Sequence, residues 1–424
     1  MSSDLYSRDY AAPVAVRALN ATVELPGSKS LTNRELVLSA LADSPTVLTG
    51  ALVSRDSSLM IDALRALGAQ IDSWTVHPAT LDQDAKIDCG LAGTVMRFVP
   101  PIAAINRGRA LFDGDEGARR RPMQTTIDSL RALGAVVENE NGALPFTVVG
   151  DSELAGGEIT IDASASSQFV SGLLLVGAKL KRGITVRHEG EHLPSLPHIE
   201  MTLECLRQRG VAVSQPTPTS WRVEPGPIAG GRKAIEPDLS NAGPFLAAAM
   251  VAGGSVTIPG WPSTTTQVGN EFDGILQRMG ATISRDSNTL TISGNGTIRG
   301  VDIDLSIGGE LAPVIAGLAV LAETPSRLRG IAHLRGHETD RLAALANEIN
   351  RIGGKASETE DGLIIEPSGN LHGGLWHTYE DHRMATTGAI IGLRVPGIVI
   401  ENIGTTAKTM PNFAEMWQEM LEQS

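Results

Sequence analysis

The chain has few cysteines, few aromatic residues and no long hydrophobic run, and each shortage excludes a class of protein. Its two cysteines, Cys89 and Cys205, are too few for a disulfide framework or a cysteine-based zinc site, which fits a reducing compartment. Aromatic residues make up only 4% of the sequence, too few for a surface that stacks nucleic-acid bases. No run of about 18 apolar residues is present, so no membrane-spanning helix is predicted.

Positive charge is scarce as well. The 424 residues include 48 acidic and 35 basic side chains, for a formal net charge of −13. Nucleic acids and anionic membranes bind basic surfaces, so neither is expected as a partner. Residues 1–16 contain no basic segment followed by an apolar one, so no signal peptide is predicted and we expect a cytoplasmic protein. The length exceeds that of one ordinary core and predicts at least two domains.

A repeat runs through the sequence. Five helix-like segments end at a glycine that precedes an alternating apolar strand: Gly68, Gly134, Gly210, Gly280 and Gly353. Short strands that end in glycine form a second series: Gly50, Gly114, Gly190, Gly260, Gly330 and Gly404. Because both series advance in steps of about 70 residues, they predict about six copies of one unit. The alternative is ordinary α/β repetition, in which similar helix–turn–strand segments recur without a common unit.

Two kinds of helix are predicted. One is amphipathic and lies on the outside: 56–67, 122–133, 197–208, 269–279, 338–351 and 412–422. The other is rich in small residues and is expected inside each domain: 93–105, 167–180, 241–252, 310–322 and 383–394. Six units divide into two domains of three. Residues 214–238 are rich in proline and glycine and have the most linker-like composition, so we expect a hinge near 235–238 and a ligand in the cleft between the domains.

Basic and polar residues recur where helices are predicted to begin. In the first half they occur at Lys29 and Ser30, at Gly93, in the arginine run 119–121 and in the serine-rich stretch 164–169. Only 7 of the 35 basic residues are lysines, which makes a lysine in a Pro–Gly–Ser turn unusual. Helix N-termini favour anions because their unpaired N–H groups and dipole are positive. Each segment alone could instead be an ordinary turn, helix cap or solvated charge run.

The second half contributes acids as well as cations. Glu310 follows two glycines at the start of a small-residue helix, and Glu338 lies within the segment 337–341, so these two are the acid/base candidates. Cationic side chains from both halves predict a site for a polyanion: Lys29, Arg34, Arg97, Arg119, Arg121, Arg341, Arg383 and Lys408. The sequence lacks a zinc-binding His–Glu–x–x–His pair, a Walker loop and a GxGxxG motif, so no metal or cofactor is expected.

Six segments, in chain order, resemble those of the 5-enolpyruvylshikimate-3-phosphate synthase family. They are PGSKSxxxR from Pro26, LAGTVMR from Leu91, SSQF from Ser166, HETDR from His337, DHRMA from Asp381 and AKTMP from Ala407. The resemblance covers almost the whole chain. It implies a two-domain α/β (α+β) enolpyruvyl transferase fold, with three βαβαββ units in each domain around buried inner helices. It also implies that residues 1–25 join 237–424 in one domain while 26–236 form the other.

The resemblance implies an activity. The reaction would transfer the enolpyruvyl group of phosphoenolpyruvate to the 5-hydroxyl of shikimate 3-phosphate, in aromatic amino acid biosynthesis, without a cofactor; we expect a monomer. The matching positions for shikimate 3-phosphate are Lys29, Ser30, Arg34, Ser166, Ser167, Gln168, Ser195, Glu310 and His337. Those for phosphoenolpyruvate are Lys29, Gly93, Arg119, Gln168, Arg341, Arg383 and Lys408. Glu310 would take the hydroxyl proton, and Glu338 would protonate the methylene carbon, with Lys29 as the third catalytic candidate at that step. Lys29 would also bridge both substrates.

Several positions depart from the family pattern. Leu91 replaces a frequent asparagine, His198 a frequent tyrosine and His333 a frequent asparagine. His337 replaces a frequent lysine, which removes a permanent charge near the acid candidate and could make turnover sensitive to pH near the ordinary histidine pKa of about 6.5. Phe98 stands where proline is common, in the segment in which the family sets its sensitivity to glyphosate.

Two alternatives stay open in the sequence. In the loop GARRRP the ligand arginine is Arg119, or Arg121 if the match shifts by a gap. The nearest rival activity belongs to the sister family that transfers enolpyruvate to UDP-N-acetylglucosamine. That family usually has a cysteine in the loop matching 114–122 and an asparagine after the first lysine, whereas this loop has no cysteine and Ser30 follows Lys29. A non-catalytic or nucleic-acid-processing relative is a further possibility that the net charge opposes.

Overall fold

The structure is a computed structural model that describes residues 9–78 and 82–423. The described chain divides into two compact units. Unit 1 takes in the described part of Met1–Pro26 together with Glu236–Ser424, and unit 2 contains Gly27–Ile235. Residues 1–8 of the predicted domain segment 1–25 lie outside the described residues. Each unit has its own hydrophobic core of buried aliphatic and aromatic side chains.

Helices and strands alternate along the described chain. In chain order the α-helices of residues 9–78 and 82–423 are α1 (Lys29–Ala40), α2 (Arg55–Ala66), α3 (Gly93–Ala104), α4 (Glu116–Arg119), α5 (Gln124–Ala132), α6 (Gln168–Val176), α7 (Leu196–Arg207), α8 (Leu239–Ala252), α9 (Phe272–Arg278), α10 (Ala312–Val320), α11 (Arg341–Arg351), α12 (His382–Gly392) and α13 (Phe413–Glu422). Short 3₁₀ turns precede two of them, Val268–Glu271 before α9 and Gly309–Leu311 before α10. The predicted helix 338–351 begins only at Arg341, because the Asp340 side chain caps it there.

The strands are short. In chain order those of the described residues are β1 (Tyr10–Ala11), β2 (Leu19–Thr22), β3 (Thr46–Thr49), β4 (Gln70–Asp72), β5 (Thr75–His77), β6 (Ala85–Asp88), β7 (Gly108–Asp113), β8 (Val136–Glu138), β9 (Phe146–Gly150), β10 (Gly157–Ile161), β11 (Ile184–His188), β12 (Val213–Thr217), β13 (Ser220–Val223), β14 (Gly231–Ala234), β15 (Gly254–Pro259), β16 (Thr282–Arg285), β17 (Thr289–Gly294), β18 (Asp302–Asp304), β19 (Ser326–Arg329), β20 (Lys355–Glu358), β21 (Leu363–Glu366), β22 (Gly374–Trp376) and β23 (Ile398–Ile400).

Unit 2 repeats one four-stranded arrangement. Its described sheets have the orders β14-β3-β5-β4, β6-β7-β9-β8 and β10-β11-β13-β12. In the last sheet, β10 and β11 pair in parallel with α6 between them, and α7 then leads to the antiparallel hairpin β12–β13. Parallel neighbours need such a crossover, whereas antiparallel ones can be joined by a tight turn. The order along the chain is therefore βαβαββ, as predicted.

Unit 1 repeats the same arrangement. Its described sheets have the orders β16-β17-β15-β2, β18-β19-β21-β20 and β1-β23-β22. The N-terminal segment supplies a strand to two of them, since β2 pairs with β15 and β1 pairs with β23. The third sheet has three strands rather than four within the described residues. The prediction of six related α/β repeats is confirmed, with that one repeat shortened.

The small-residue helices form the interior of each unit. Every residue of α3 and of α10 is buried, and α12 is buried at all but one position. A helix that is apolar on all sides has to lie in a core, and small side chains let neighbouring helices approach closely. The prediction of buried inner helices is confirmed. Among the described residues, no helix is both long enough and apolar enough to cross a membrane.

The predicted helix-ending glycines adopt the conformation that explains them. Their φ angles are 115° at Gly68, 100° at Gly134, 78° at Gly210, 112° at Gly280 and 81° at Gly353. Side chains disfavour this left-handed region, so glycine ends the helix and redirects the chain into the next strand.

The segment 214–238 differs in part from its prediction. About half of it folds into the strands β12, β13 and β14, while the boundary between the two units falls after Ile235, within the segment 235–238. Pro216 fits in β12 because that strand lies at the edge of its sheet, where a residue without an N–H costs no hydrogen bond between strands. Proline and glycine therefore indicated an edge strand and turns here rather than a flexible connection.

Candidate functional site

The predicted site residues form two sets, one in each unit. The unit 2 set contains Lys29, Ser30, Arg34, Gly93, Arg121, Ser166, Ser167, Gln168 and Ser195. The unit 1 set contains Glu310, His337, Glu338, Arg341, Arg383 and Lys408. Within each set the structure brings most of the members into contact through a few buried partners.

Lys29 is the first residue of α1, directly after a turn that only glycine can make. A Cβ on Gly27 would lie 1.9 Å from the Gly50 carbonyl oxygen. Ser28 then caps the helix, its Oγ accepting from the Leu31 N–H. The Lys29 Nζ lies 3.3 Å from Asp56 Oδ2, and Asp56 is buried in the first turn of α2. This carboxylate, which sequence reasoning missed, holds the lysine at the helix N-terminus.

Arg34 lies one turn further along α1 and is almost fully enclosed. Its Nε donates to Thr202 Oγ1 at 2.8 Å, its Nη1 to the Ser30 carbonyl at 3.0 Å and its Nη2 to the His198 carbonyl at 2.9 Å. The guanidinium therefore joins α1 to α7. All three of these acceptors are neutral oxygen atoms.

Arg121 and Gln168 converge on the start of α3. A Cβ on Gly93 would lie 3.0 Å from both Arg121 Nη2 and Gln168 Oε1, so the missing side chain leaves room for both. Arg121 Nη1 donates to the Leu91 carbonyl at 3.1 Å. Arg121 Nε and Gln168 Oε1 are buried without a hydrogen-bond partner among the described residues. Buried polar atoms of this kind are the groups that a polar ligand would satisfy.

Arg119 lies elsewhere. Its Nε and Nη2 donate to Asp113 at 2.9 and 2.7 Å, and its side chain is 51% exposed. Of the two arginines that the sequence left open, Arg121 is the one beside Gly93. Buried Arg97 supports this loop, since its Nη2 donates to the Pro122 carbonyl at 3.2 Å.

The serine-rich segment precedes α6, and Ser195 precedes α7. Ser166 Oγ accepts from the Gln168 N–H at 3.2 Å, and Ser167 is buried as the residue before the helix. Ser195 has φ 54°, a left-handed conformation that non-glycine residues rarely adopt. Such strain is concentrated at functional sites, and a single sequence gives no signal for it.

Two residues that the sequence analysis passed over shape the serine-rich loop. His188 Nδ1 accepts from the Ala163 N–H at 3.1 Å, and Asp162 Oδ1 accepts from the Ser164 N–H at 2.9 Å. Hydrogen bonds from Ser164 hold the pKa of Asp162 below its usual value, so it stays an anion and an acceptor.

Arg341 is the centre of the unit 1 set. Its Nε and Nη2 donate to the two oxygens of buried Asp381 at 2.7 and 3.3 Å, and its Nη2 also donates to Glu338 Oε2 at 2.9 Å. Burial opposes the charge, but the Asp381 and Glu338 carboxylates outweigh it and hold the pKa of Arg341 above its usual value. Arg341 is therefore a permanent cation held in one orientation.

Glu338 joins this cluster to Lys408 and lies beside His337. Its Oε1 accepts from the Lys408 ammonium, which ends the 3₁₀ turn Ile403–Lys408. His337 Nδ1 lies 3.1 Å from Arg341 Nη1. Because an arginine N–H can only donate, this nitrogen accepts, and the ring proton of neutral His337 lies on Nε2. One carboxylate thus sits between two cations.

Glu310 lies in the 3₁₀ turn before α10. Ser240 Oγ, from the first turn of α8, donates to Glu310 Oε1 at 2.5 Å. His333 lies against the same turn, with Nε2 2.6 Å from where a Cβ on Gly309 would be. Burial and the nearby Arg341 cation lower the pKa of His333 to about 4, so it is neutral at physiological pH. The sequence analysis did not assign a role to Ser240.

Asp381 also begins the helix that carries Arg383. Its side chain accepts from the Arg383 N–H at 2.8 Å and so caps α12. The sequence analysis quoted Asp381 within the DHRMA segment but gave it no role; an aspartate directly before a helix was the available signal. Within the described residues, no group of three or more His, Cys, Asp or Glu side chains is arranged to hold a metal ion.

Comparison with known proteins gives one consistent result. The family model described as EPSP synthase (3-phosphoshikimate 1-carboxyvinyltransferase) matches residues 14–417. A protein of Kocuria rhizophila named 3-phosphoshikimate 1-carboxyvinyltransferase is 54% identical over 419 residues, which are 95% of this chain and 94% of the relative. The solved structure of EPSP synthase from Acinetobacter baumannii has a TM-score of 0.78 at 25% identity and covers 97% of each chain. The enolpyruvyl transferase NikO from Streptomyces tendae, at 18% identity, has the same fold, with a TM-score of 0.78 over 98% of each chain.

Proposed function

The chain belongs to the EPSP synthase (3-phosphoshikimate 1-carboxyvinyltransferase) family, and from this premise we propose roles for its two sets of site residues. The reaction transfers the enolpyruvyl group of phosphoenolpyruvate to the 5-hydroxyl of shikimate 3-phosphate and releases phosphate, in the shikimate pathway. UDP-N-acetylglucosamine as the acceptor is not favoured. We propose that unit 1 and unit 2 are the two domains of this enzyme and that residues of both act on the same pair of substrates.

The unit 2 set holds shikimate 3-phosphate in this proposal. The ligands are Lys29, Ser30, Arg34, Ser166, Ser167, Gln168 and Ser195, with Glu310 and His337 from unit 1. Hydroxyl and amide groups suit a polyol, and Lys29 with Arg34 supplies positive charge for the phosphate and carboxylate.

Phosphoenolpyruvate is bound by Lys29, Gly93, Arg121, Gln168, Arg341, Arg383 and Lys408. We propose Arg121 here in place of Arg119. The supporting observation is the buried contact of Arg121 with Gly93 and Gln168, where two polar atoms have no protein partner. Arg119 is instead held at the surface by Asp113.

The observation that carries the mechanism is the position of Glu338 between Arg341 and Lys408. When phosphoenolpyruvate binds these two cations, its negative groups compete with Glu338 for them. A carboxyl group with fewer positive neighbours takes up a proton more readily, so binding prepares Glu338 to deliver a proton to the methylene carbon.

The addition step then balances. The 5-hydroxyl oxygen forms a bond to C2 of phosphoenolpyruvate, its proton passes to Glu310, and the C2–C3 electron pair takes the proton of Glu338. Ser240 holds Glu310 by donating to its Oε1. The fixed cations stabilise the tetrahedral species, which still carries phosphate and carboxylate. In the elimination, C3 returns a proton to Glu338, the C–H electrons re-form the C2–C3 double bond, and phosphate leaves with the electrons of its C2–O bond and takes up the proton held by Glu310. No cofactor enters the scheme.

We further propose that the enzyme works as a monomer in the cytoplasm, without a membrane or nucleic-acid partner. The net charge of −13 disfavours binding to anionic surfaces. Gel filtration with light scattering checks the monomer, for which one peak at the 44.6 kDa chain mass is expected.

The test of the activity is phosphate release from phosphoenolpyruvate with either acceptor. We expect release with shikimate 3-phosphate and none above background with UDP-N-acetylglucosamine. Release with the nucleotide sugar alone would overturn the assignment. A Lys29→Met preparation of equal concentration serves as the control for contaminating phosphatase.

A further inference from the structure

Directly before Asp381 the backbone adopts a conformation that most residues avoid. Tyr379 has φ 53° and Glu380 has φ 56°, and in the described part of the chain they are the only consecutive non-glycine residues with positive φ. The Asp381 N–H donates to the Thr378 carbonyl at 2.8 Å and closes a four-residue turn. Turns with positive φ at both central positions usually carry asparagine and glycine there. Strain of this kind persists only where surrounding contacts enforce it.

Glu348 supplies such contacts from α11. Its side chain is fully buried, and both carboxylate oxygens accept hydrogen bonds from the segment before Asp381. Oε1 accepts from the Tyr379 hydroxyl at 2.7 Å, and Oε2 accepts from the His377 N–H at 3.0 Å. Burial and the Glu348 carboxylate raise the pKa of Tyr379 to about 12, so the hydroxyl remains a donor. A buried carboxylate requires such donors, which ties the segment to α11.

The turn places Asp381, and the contacts of Asp381 with Arg341 and of Glu348 with the turn form a closed ring. Asp381 holds Arg341 with both oxygens and caps α12 just before Arg383. Arg341 and Glu348 lie on the same helix, seven residues apart. One rigid helix therefore fixes both ends of the path from Glu348 through the turn to Asp381 and back to Arg341. If the turn relaxes, Asp381 shifts relative to both arginines.

We propose that Glu348 is a positioning residue for the transfer reaction: it holds the Tyr379–Glu380 turn and so directs Arg341 and Arg383 toward phosphoenolpyruvate. The inference rests on the proposed role of these two arginines as ligands. Glu348 itself touches no substrate. A second carboxylate also holds this segment, because the Thr378 N–H donates to half-exposed Glu401 at 3.3 Å, so loss of Glu348 loosens the turn without abolishing it.

The first test is Glu348→Gln, which keeps the shape of the side chain and replaces one acceptor by a donor. We expect the KM for phosphoenolpyruvate to rise about tenfold, the effect of a small misplacement of binding groups, while the KM for shikimate 3-phosphate stays within about twofold. Tyr379→Phe removes only one hydrogen bond and should raise the same KM about threefold. If Glu348→Gln does not fold, Tyr379→Phe alone still tests the positioning role.

Asn347→Ala is the matched control. Asn347 is an exposed residue of α11 directly before Glu348. A substitution at an exposed surface position of this kind changes little, so both KM values should stay at the wild-type level. The rescue variant is Glu348→Gln with Glu380→Asn, because asparagine tolerates positive φ and should recover at least about half of the lost affinity on a logarithmic scale.

The outcomes separate this inference from the site assignment. The positioning role would be overturned if Glu348→Gln and Tyr379→Phe both left the KM values unchanged. It would also be overturned if the KM values for both substrates rose equally, the folded fraction fell and the second substitution gave no rescue. Arg341→Gln is measured alongside. If it leaves the KM for phosphoenolpyruvate unchanged, the ligand assignment is wrong; if it raises that KM and Glu348→Gln does not, only the positioning role is wrong.

Discussion

The two sets of site residues hold their cations through different contacts. In the unit 1 set, Arg341 and Lys408 are paired with the carboxylates of Asp381 and Glu338. In the unit 2 set, Arg34 and Arg121 donate to carbonyl and hydroxyl oxygens. The unit 1 contacts therefore join opposite charges, whereas these contacts of the two unit 2 arginines join a cation to a neutral atom.

This difference matches two kinds of chemistry. A phosphate responds to the local field of nearby cations, even in a protein whose net charge is −13. Cations paired with carboxylates can exchange partners when an anionic substrate arrives, and the released carboxyl group can then carry a proton. This contrast agrees with the proposed roles, in which both sets bind substrate and the unit 1 set also supplies the two carboxylates for proton transfer.

Lys29→Met is the strongest test, because Lys29 is proposed to contact both substrates; in the unit 2 set it is paired with the carboxylate of Asp56. We expect turnover to fall about 10³-fold, the size seen when one fixed electrostatic contact to a transition state is removed. Steady-state phosphate release measures it. Lys86→Met, at an exposed lysine of β6, is the control and should keep wild-type activity. Retained activity in a folded Lys29→Met protein would remove Lys29 from the site.

Glu338→Gln and Glu310→Gln test whether unit 1 carries the proton transfers. Each should lower kcat by about 10²-fold or more, the usual contribution of a general acid or base. Glu338→Gln should not raise the KM for phosphoenolpyruvate, because Arg341 and Lys408 then lose a competing anion. Glu366→Gln, at an exposed glutamate of β21, is the control. Wild-type kcat in either site variant would show that its carboxylate is structural.

Arg121→Gln and Arg119→Gln form a matched pair within one loop. Loss of a charge-assisted hydrogen bond costs about 1.5–3 kcal/mol, so Arg121→Gln should raise the KM for phosphoenolpyruvate about 10- to 100-fold. Arg119→Gln loses only an exposed ion pair with Asp113 and should leave that KM unchanged. The reverse pattern would return the ligand role to Arg119 and contradict the contact at Gly93.

This pair also shows how far the sequence could lead. The repeat, the buried helices and the motif positions follow from local chemistry: helix-ending glycines, small-residue helices, and polar residues at helix starts. The choice within Arg119–Arg121 does not, because consecutive residues point in different directions and only the course of the chain decides which reaches Gly93. For the same reason the sequence could not pair Asp56 with Lys29.

Two further features were beyond sequence reasoning because they belong to the tertiary structure. The left-handed turn at Tyr379 and Glu380 has no local signal, since neither residue favours positive φ. The bond from Ser240 to Glu310 joins residues 70 positions apart. The proline and glycine content of 214–238 favoured a linker, but edge strands and turns contain the same residues.

The smallest expected effect concerns pH and follows from the charged cluster of unit 1. The pKa of His333 is about 4 in the folded protein and about 6.5 when unfolded, because burial and Arg341 disfavour the imidazolium. Between pH 4 and pH 6.5 the unfolded chain binds more protons than the folded protein. The stability that depends on neutral His333 is therefore fully present above pH 6.5 and is lost as the pH falls toward 4. The loss by pH 5 should be about 1 kcal/mol for a partly exposed group.

Urea unfolding at pH 7.5 and pH 5.0 measures this loss as the difference between wild type and His333→Asn. The wild type should lose about 1 kcal/mol more than the variant, because asparagine does not titrate. The exposed His372, also in unit 1, supplies the control, and His372→Asn should keep the wild-type pH dependence. A His333→Asn protein with the same loss as the wild type would mean that burial and the Arg341 cation do not suppress protonation of this histidine.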